Sequence, residues 1–490
     1  MGLFRLASLV RAVLRPRKFT VKRMKPLICI YGSTGTGKSD LAVELAKRYD
    51  GEIINADAMQ MYDGLPIITN KISVQEQRGI PHHLLGSIEL RENPWAASHF
   101  KNEATKIIWD IRSRGKLPIL VGGTSYYLDG LIFDGKLVKE QAERDGRKVD
   151  RDDLIAQHPI LSDSSQAMWE KLREVDPVMA EKWHPNDARK IRTSLEIYYG
   201  TGRRASEIYA EQRREKESKW AAQSRGPNQN FDEILMFWLY ARKDVLHERL
   251  DSRVDKMVNN GLLHEVSQVY DHLQTRLAAG ETVDRSKGIW QSIGFRQFEP
   301  YLTAVKETPD SPQLEGLKQD GIEGTKTATR QYAKEQLRWM ALQTVSSLQE
   351  ENMMDRLYLL DSTNLQLWKS EVLEKGVTLA GKFLAEEPLP PPAEMSETAR
   401  EVLAETMARN NRQDTPCRKT CEVCKKTLLT EELWTAHITS KKHRKVVQAV
   451  KRRQLIPAHA RPPRALMVVE SSEPDPALEK RDKEPIIEPA

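Results

Sequence analysis

The segment Gly32-Ser33-Thr34-Gly35-Thr36-Gly37-Lys38-Ser39 follows the apolar run 27–31 and opens a helical pattern, Asp40-Leu41-Ala42-Val43-Glu44-Leu45-Ala46. Strand, glycine-rich turn and helix in that order, spaced G-x4-G-K-S, make a phosphate-binding loop. Such a loop occurs in an α/β fold whose parallel sheet carries ligands at the carboxyl ends of its strands. Gly32, Gly35 and Gly37 let the backbone wrap a polyphosphate, while the amides of the loop, including those of Thr34 and Thr36, and the helix N-terminus point at the anion. Lys38 supplies a mobile positive charge and Ser39 offers a hydroxyl to magnesium. The chain therefore binds a di- or triphosphate.

What the phosphate is used for depends on the next strand ends. Glu52-Ile53-Ile54-Asn55-Ala56-Asp57-Ala58-Met59-Gln60 places Asp57 just past one strand. Leu117-Pro118-Ile119-Leu120-Val121-Gly122-Gly123-Thr124 ends another in two glycines and a hydroxyl, where many nucleotide hydrolases carry a magnesium-binding aspartate. That absence argues against ordinary phosphoryl transfer. Taken alone, Asp57 could equally cap a helix and Gly-Gly-Thr could equally make a turn.

GSTGTGKS, INADAMQMY, GIPHHLLG, VGGTSYYLDGL and HPNDARKIRTSLEIYY, in that order, resemble the tRNA dimethylallyltransferase (isopentenyltransferase) family over residues 25–345, and a C-terminal finger extends the likeness to its eukaryotic members. The resemblance implies transfer of a dimethylallyl group from dimethylallyl diphosphate to N6 of the adenosine 3′ to the anticodon (adenosine-37). The loop would then hold the diphosphate of an allylic donor. As that diphosphate leaves, carbon 1 becomes cationic and charge gathers on the phosphates, where Lys38, the loop amides and magnesium can stabilise it. The acceptor amine is conjugated with the purine and is a poor nucleophile, so a carboxylate that takes its proton is useful.

By the resemblance Asp57 is that base, Thr124 orients the amine or a phosphate oxygen, and Asp57, Ala58, Met59 and Gln60 face the tRNA. Family members commonly carry a serine or threonine where this chain has Ala58. In the helical pattern around Leu246, Leu250, Val254 and Met257, Arg249 and Arg253 stand one turn apart. Both align with family arginines. Arg253 is the expected diphosphate contact, against surface ion pairs with Asp255 or Glu248. Two rival classes remain: a P-loop small-molecule kinase, and a non-catalytic zinc-finger RNA-binding protein.

From 134 to about 226 the αβ rhythm stops and helical patterns with dense charge take over, with Trp169, Leu172 and Val175 on one helix. This reads as a helical insertion walling a tRNA channel. By the resemblance its segment with Arg189, Lys190 and Arg192 contacts tRNA phosphates, which position without reading sequence; a solvated helical face is the plainer reading. Gln291, Gly294, Phe295 and Arg296, and later Lys334, Arg338 and Trp339, mix aromatic and basic residues suited to an anticodon loop. Phe295 and Trp339 at helical spacing are as readily core residues.

Near the C-terminus Cys421-x2-Cys424-x12-His437-x5-His443 has the Cys2His2 zinc spacing. So small a unit needs the metal to fold, and the basic residues after it give it an RNA-facing character. Cys417 lies outside the spacing as a free thiol and Cys29 reads as a buried one. Four cysteines so placed are not a disulfide framework, and the net charge of +6 over 490 residues is too modest to name a partner. No apolar run is long enough to cross a membrane. Residues 1–39 contain no Asp or Glu and alternate basic with apolar residues, the composition of a mitochondrial transit peptide or of a basic leader. Met24 could start a shorter form.

The expected organisation is a leader at 1–24, a P-loop core at 25–134 and 227–350, and the insertion at 135–226. A connecting segment with a proline-rich linker follows at 351–400, then the finger with its basic extension at 401–455 and a disordered tail at 456–490. A monomer is expected, in mitochondrion and cytoplasm, with the nucleus as a further site.

Overall fold

A computed structural model describes residues 26–133, 151–211, 214, 233–285, 287–411, 415–424 and 426–455. The expected leader, the expected tail and both ends of the expected insertion lie outside the described residues.

Six strands, β1 (Leu27–Gly32), β2 (Gly51–Asn55), β3 (His82–His83), β4 (Leu117–Val121), β5 (Ile234–Tyr240) and β6 (Leu357–Asp361), form a parallel sheet in the order β3-β2-β4-β1-β5-β6. The runs at β1, β4 and β5 are apolar nearly throughout because both faces of a parallel sheet are covered. On one face the helix Lys38–Tyr49 packs Leu41, Ala42 and Leu45 against Ile28, Ile30 and Phe237. On the other the helix Ala97–Ser113 contributes Phe100, Ala104, Ile108 and Ile111 to the larger core around Cys29, Tyr31 and Met236. Each such side chain withdrawn from water stabilises the fold by about 1.5–3 kcal/mol. Because β4 lies between β1 and β2, the turns after these three strands are neighbours. The phosphate loop, Asp57 and Thr124 therefore share one edge.

The described part of the insertion has a core of its own. Met168, Trp169 and Leu172 of the helix Ser165–Val175 meet Met179, Ile191 and Leu195. The buried carboxylate of Asp176 accepts hydrogen bonds from the amides of Met179 and Ser206, which ties two separate stretches of the module together.

Residues 351–400 are not a connecting segment. β6 extends the sheet, the helix Lys375–Leu384 covers one face with Leu379 and Ala380, and the Tyr358 hydroxyl donates to the Pro390 carbonyl at 2.8 Å. The helix Glu397–Asn410, expected to begin the finger, buries Ala399 and Leu403 in the main core. The reason is the edge of β5: a strand of sequence ILMFWLY left open there would expose both its apolar faces and its backbone donors and acceptors, so it recruits a partner. Among the described residues the finger unit starts at the hairpin β7 (Pro416–Cys421) and β8 (Lys426–Thr430), followed by the helices Glu431–Thr439 and Lys441–Leu455.

Candidate active site

The loop after β1 turns through glycines at positive φ, Gly35 and Gly37 both at 85°. Close packing enforces them as well: a Cβ on Gly35 would stand 3.0 Å from Leu250, and one on Gly37 would stand 2.8 Å from the indole nitrogen of Trp368. The Thr36 hydroxyl and the Lys38 ammonium both donate to the Ser33 carbonyl, at 2.9 and 2.8 Å. Lys38 is thus folded back on its own loop. Burial, reinforced by the charge of Arg253, lowers its pKa to about 8, and Asp57 opposes that shift. The Ser39 side chain, one residue into the helix, is half-buried.

Asp57 is held from below by Asn55, whose side-chain carbonyl accepts the Asp57 amide at 3.1 Å and whose NH2 group donates to the Leu84 carbonyl at 2.9 Å. The carboxylate accepts the Met59 amide at 3.1 Å. Burial raises its pKa; the Lys38 charge and the amides of Met59, Gln60 and Gly123 work against the rise. The net direction is upward, which makes this carboxyl a better proton acceptor than an exposed aspartate.

Thr124 approaches from β4. Its hydroxyl accepts the Ala58 amide at 3.1 Å and its own amide donates to the Ala56 carbonyl at 3.2 Å. The strand ends touch so closely that a Cβ on Gly122 would fall 2.1 Å from the Ala56 oxygen. A Cβ on Gly123 would fall 2.5 Å from the Gln336 side chain and 2.9 Å from the Asp57 carboxylate, so contacts as well as turn geometry account for the two glycines.

Arg253, on the helix Lys243–Asn259, donates from Nη2 to the Thr34 hydroxyl at 2.6 Å. Its pKa is lowered to about 10 by burial and supported by Asp57. Arg249, one turn earlier, bonds the Thr363 carbonyl in the loop after β6. It pairs with neither Asp255 nor Glu248 in any ion pair among the described residues.

Three residues escaped the sequence reading. Gln336 accepts the Thr34 amide at 2.8 Å and donates to the Gly123 carbonyl at 2.9 Å. Tyr332, one turn earlier, turns its hydroxyl toward Gly123, Thr124 and Gln336, and burial raises its pKa well above the usual phenol range. Trp368 lies against Gly37. The helical i,i+4 spacing of Tyr332 and Gln336 was visible in the sequence, but nothing local marks which face of that long helix meets the loop.

Other expected positions divide. Phe295 is fully buried against Trp290, and Gly294 is buried at φ 111°. Gln291 donates to the Arg285 carbonyl, as does Arg296, whose side chain remains exposed. Trp339 donates to the buried Asp129 at 2.8 Å, alongside Thr344 and Tyr31, and is a core anchor. Lys334 and Arg338 are half-buried on the same helix. Arg192 donates from Nε to the Leu161 carbonyl at 2.6 Å, and Lys190 sits between Asp187 and the Trp183 ring. Gln60 reaches the Asn70 carbonyl. Cys29 is buried, as expected.

In the finger, one ligand atom from each of Cys421, Cys424, His437 and His443 lies within 4.8 Å of all the others. The His443 Nδ1 is 3.7 Å from one sulfur and 3.4 Å from the other. Tetrahedral bonds of about 2.3 Å to sulfur and 2.0–2.1 Å to nitrogen demand a separation of roughly 3.6 Å. Two thiols and two imidazoles so placed fit zinc.

A P-loop with a carboxylate and a hydroxyl, but no magnesium-type aspartate, at the neighbouring strand ends defines a transferase site of the kind expected above. The IPP transferase family model matches residues 60–343, and a zinc-finger double-stranded RNA-binding model matches 418–444. Similar proteins include the tRNA dimethylallyltransferases of Saccharomyces cerevisiae (34% identical, covering 88% of this chain and 94% of that one) and Schizosaccharomyces pombe (37%, 88% and 96%). A solved structure of a eukaryotic dimethylallyltransferase acting on tRNA is also similar, with 34% identity, a TM-score of 0.70, and coverage of 88% of this chain and 98% of that one. The chain belongs to the IPP transferase family, among the tRNA dimethylallyltransferases.

Proposed function

We propose that this protein transfers the dimethylallyl group of dimethylallyl diphosphate to N6 of the adenosine 3′ to the anticodon of tRNA, releasing diphosphate. The observation that carries this reading is the Asp57 carboxylate, held beside the Lys38 charge and next to Thr124. A carboxylate there can take the proton of an amine attacking a carbon bonded to a loop-held diphosphate.

The loop amides, Lys38 and Arg253 bind the donor diphosphate and take up the charge it gains as the carbon–oxygen bond breaks. Lys38 leaves the Ser33 carbonyl for the phosphates. Asp57 accepts the N6 proton, and Thr124, beside Tyr332, orients the amine. The half-buried Ser39 hydroxyl at the helix start suits a magnesium ligand. Magnesium would add charge neutralisation at the leaving group.

The insertion, with Arg189, Lys190 and Arg192, and the exposed Arg296 support a tRNA-facing side, and the zinc-held finger supports a second contact with the same RNA. Delivery to mitochondrion, cytoplasm and nucleus from alternative starts is part of the proposal, as is action as a monomer. The test is incubation with unmodified tRNA and either labelled dimethylallyl diphosphate or labelled ATP. Label from the allylic donor should enter the nucleoside; label moving only from ATP would make the protein a kinase, and no transfer at all would leave an RNA-binding protein.

A further inference from the structure

The flank of the phosphate loop that faces β6 is built from a segment with no assigned role. After β6 the chain runs through residues 362–368 and enters a π-helical stretch, Lys369–Glu374, directly after Trp368. Single π turns recur at functional sites because they re-aim a side chain. Here the side chain is an indole: its Nε1, Cε2 and Cζ2 would stand 2.8, 3.3 and 3.5 Å from a Cβ at Gly37, the glycine that precedes the loop lysine. The other end of the segment is tied down by Arg249 at the Thr363 carbonyl.

This flank has donors in excess. The indole N–H has no hydrogen-bond partner among the described residues. Arg249 Nε and Nη1 and Arg253 Nε are buried without an acceptor. Buried donors left unmatched are costly and call for an acceptor that the protein itself does not supply. Trp368 is half-buried although Leu365 and Leu367, in the same segment, are 62% and 50% exposed. The indole is therefore drawn in against the loop and not left with its apolar neighbours.

We propose that Trp368 is a donor-binding residue: its indole N–H donates to a non-bridging oxygen of the allylic diphosphate, and its ring closes the Gly37 flank of the loop. This rests on reading the loop as the donor-diphosphate site. It gives the segment after β6 a part in the site, and it accounts for glycine at position 37 by contact as well as by backbone conformation.

The test uses the full-length protein with inorganic diphosphate and magnesium. Trp368→Phe keeps most of the ring and removes the N–H. Its dissociation constant for diphosphate and its KM for dimethylallyl diphosphate should rise about tenfold, the range for one hydrogen bond to a charged acceptor, with KM for tRNA unchanged. In the unsubstituted protein labelled with indole-15N tryptophan, one of the ten indole resonances, absent from the Phe variant, should move downfield as diphosphate is added. Unchanged diphosphate affinity in Trp368→Phe, or no indole shift on saturation, overturns the proposal. A loss in Trp368→Ala alone would do so too, leaving the ring as a wall only. Because diphosphate binding needs no acceptor, failure of the transferase reading in the labelling assay would leave this result interpretable.

Discussion

Gln336 and Thr34, 302 positions apart in the chain, meet at 2.8 Å: the side-chain carbonyl accepts the loop amide while the NH2 of the same side chain donates to the Gly123 carbonyl. One amide thus spans the phosphate loop and the strand end that carries Thr124, fixing the gap between donor and base. Gln336→Leu, similar in volume but unable to bridge, should lower the single-turnover rate by about tenfold or more, because misplacement of reacting groups by a fraction of an ångström is costly. Unfolding free energy should fall by only about 1–3 kcal/mol, from lost hydrogen bonding. A rapid-quench assay at saturating substrates checks it.

Asp57→Asn is nearly isosteric and cannot take a proton. Turnover should fall by about 10² or more with tRNA affinity nearly unchanged. Near-normal single-turnover rates would remove Asp57 from the base role. In the native protein the rate should decline on the acid side at a pH above the ordinary aspartate range, because burial raises this carboxyl's pKa.

Lys38 gives the alkaline limb. Its pKa in the free protein is about 8, and the diphosphate binds the protonated form, so binding raises that pKa. Donor affinity is therefore full below about pH 8 and weakens as pH rises above it. Diphosphate inhibition constants across pH 7–10 should show this rise, and Lys38→Arg should displace it to higher pH. Arg253→Ala should weaken diphosphate inhibition at every pH; unaltered inhibition would reduce Arg253 to a tie on Thr34.

Glu52 provides a stability test away from the chemistry. Hydrogen bonds from Arg114, then from His83 and Lys116, hold its carboxyl down to about 2, and its side chain is only 4% exposed. A depressed pKa contributes stability that is present above the unfolded value and is lost as pH falls through the folded one. Denaturant midpoints should decline from about pH 4.5 to 2. Glu52→Gln should flatten part of that decline and cost about 2 kcal/mol at pH 7, less than a fully buried pair because Arg114 is 39% exposed.

The finger should act through binding alone. Since Pro390 and the helix Glu397–Asn410 belong to the core, the informative truncation falls after Asn411. Removal there, or zinc chelation, should raise KM for tRNA, most at higher salt, and spare the single-turnover rate at saturation. Unchanged affinity at all salt concentrations would assign the finger another partner.

Local sequence determined everything whose geometry is made by neighbours in the chain. The phosphate loop needs eight consecutive residues between a strand and a helix, the zinc ligands need only their spacing, and the strand ends bearing Asp57 and Thr124 follow from buried apolar runs. Tertiary structure decided the rest. Tyr332, Gln336 and Trp368 reach the site from segments about 300 residues further along the chain, and Phe295 turned inward, because burial of a helical face depends on what packs against it. β6 joined the sheet because the apolar edge of β5 had to be covered, a demand that no window of sequence around residues 357–361 contains.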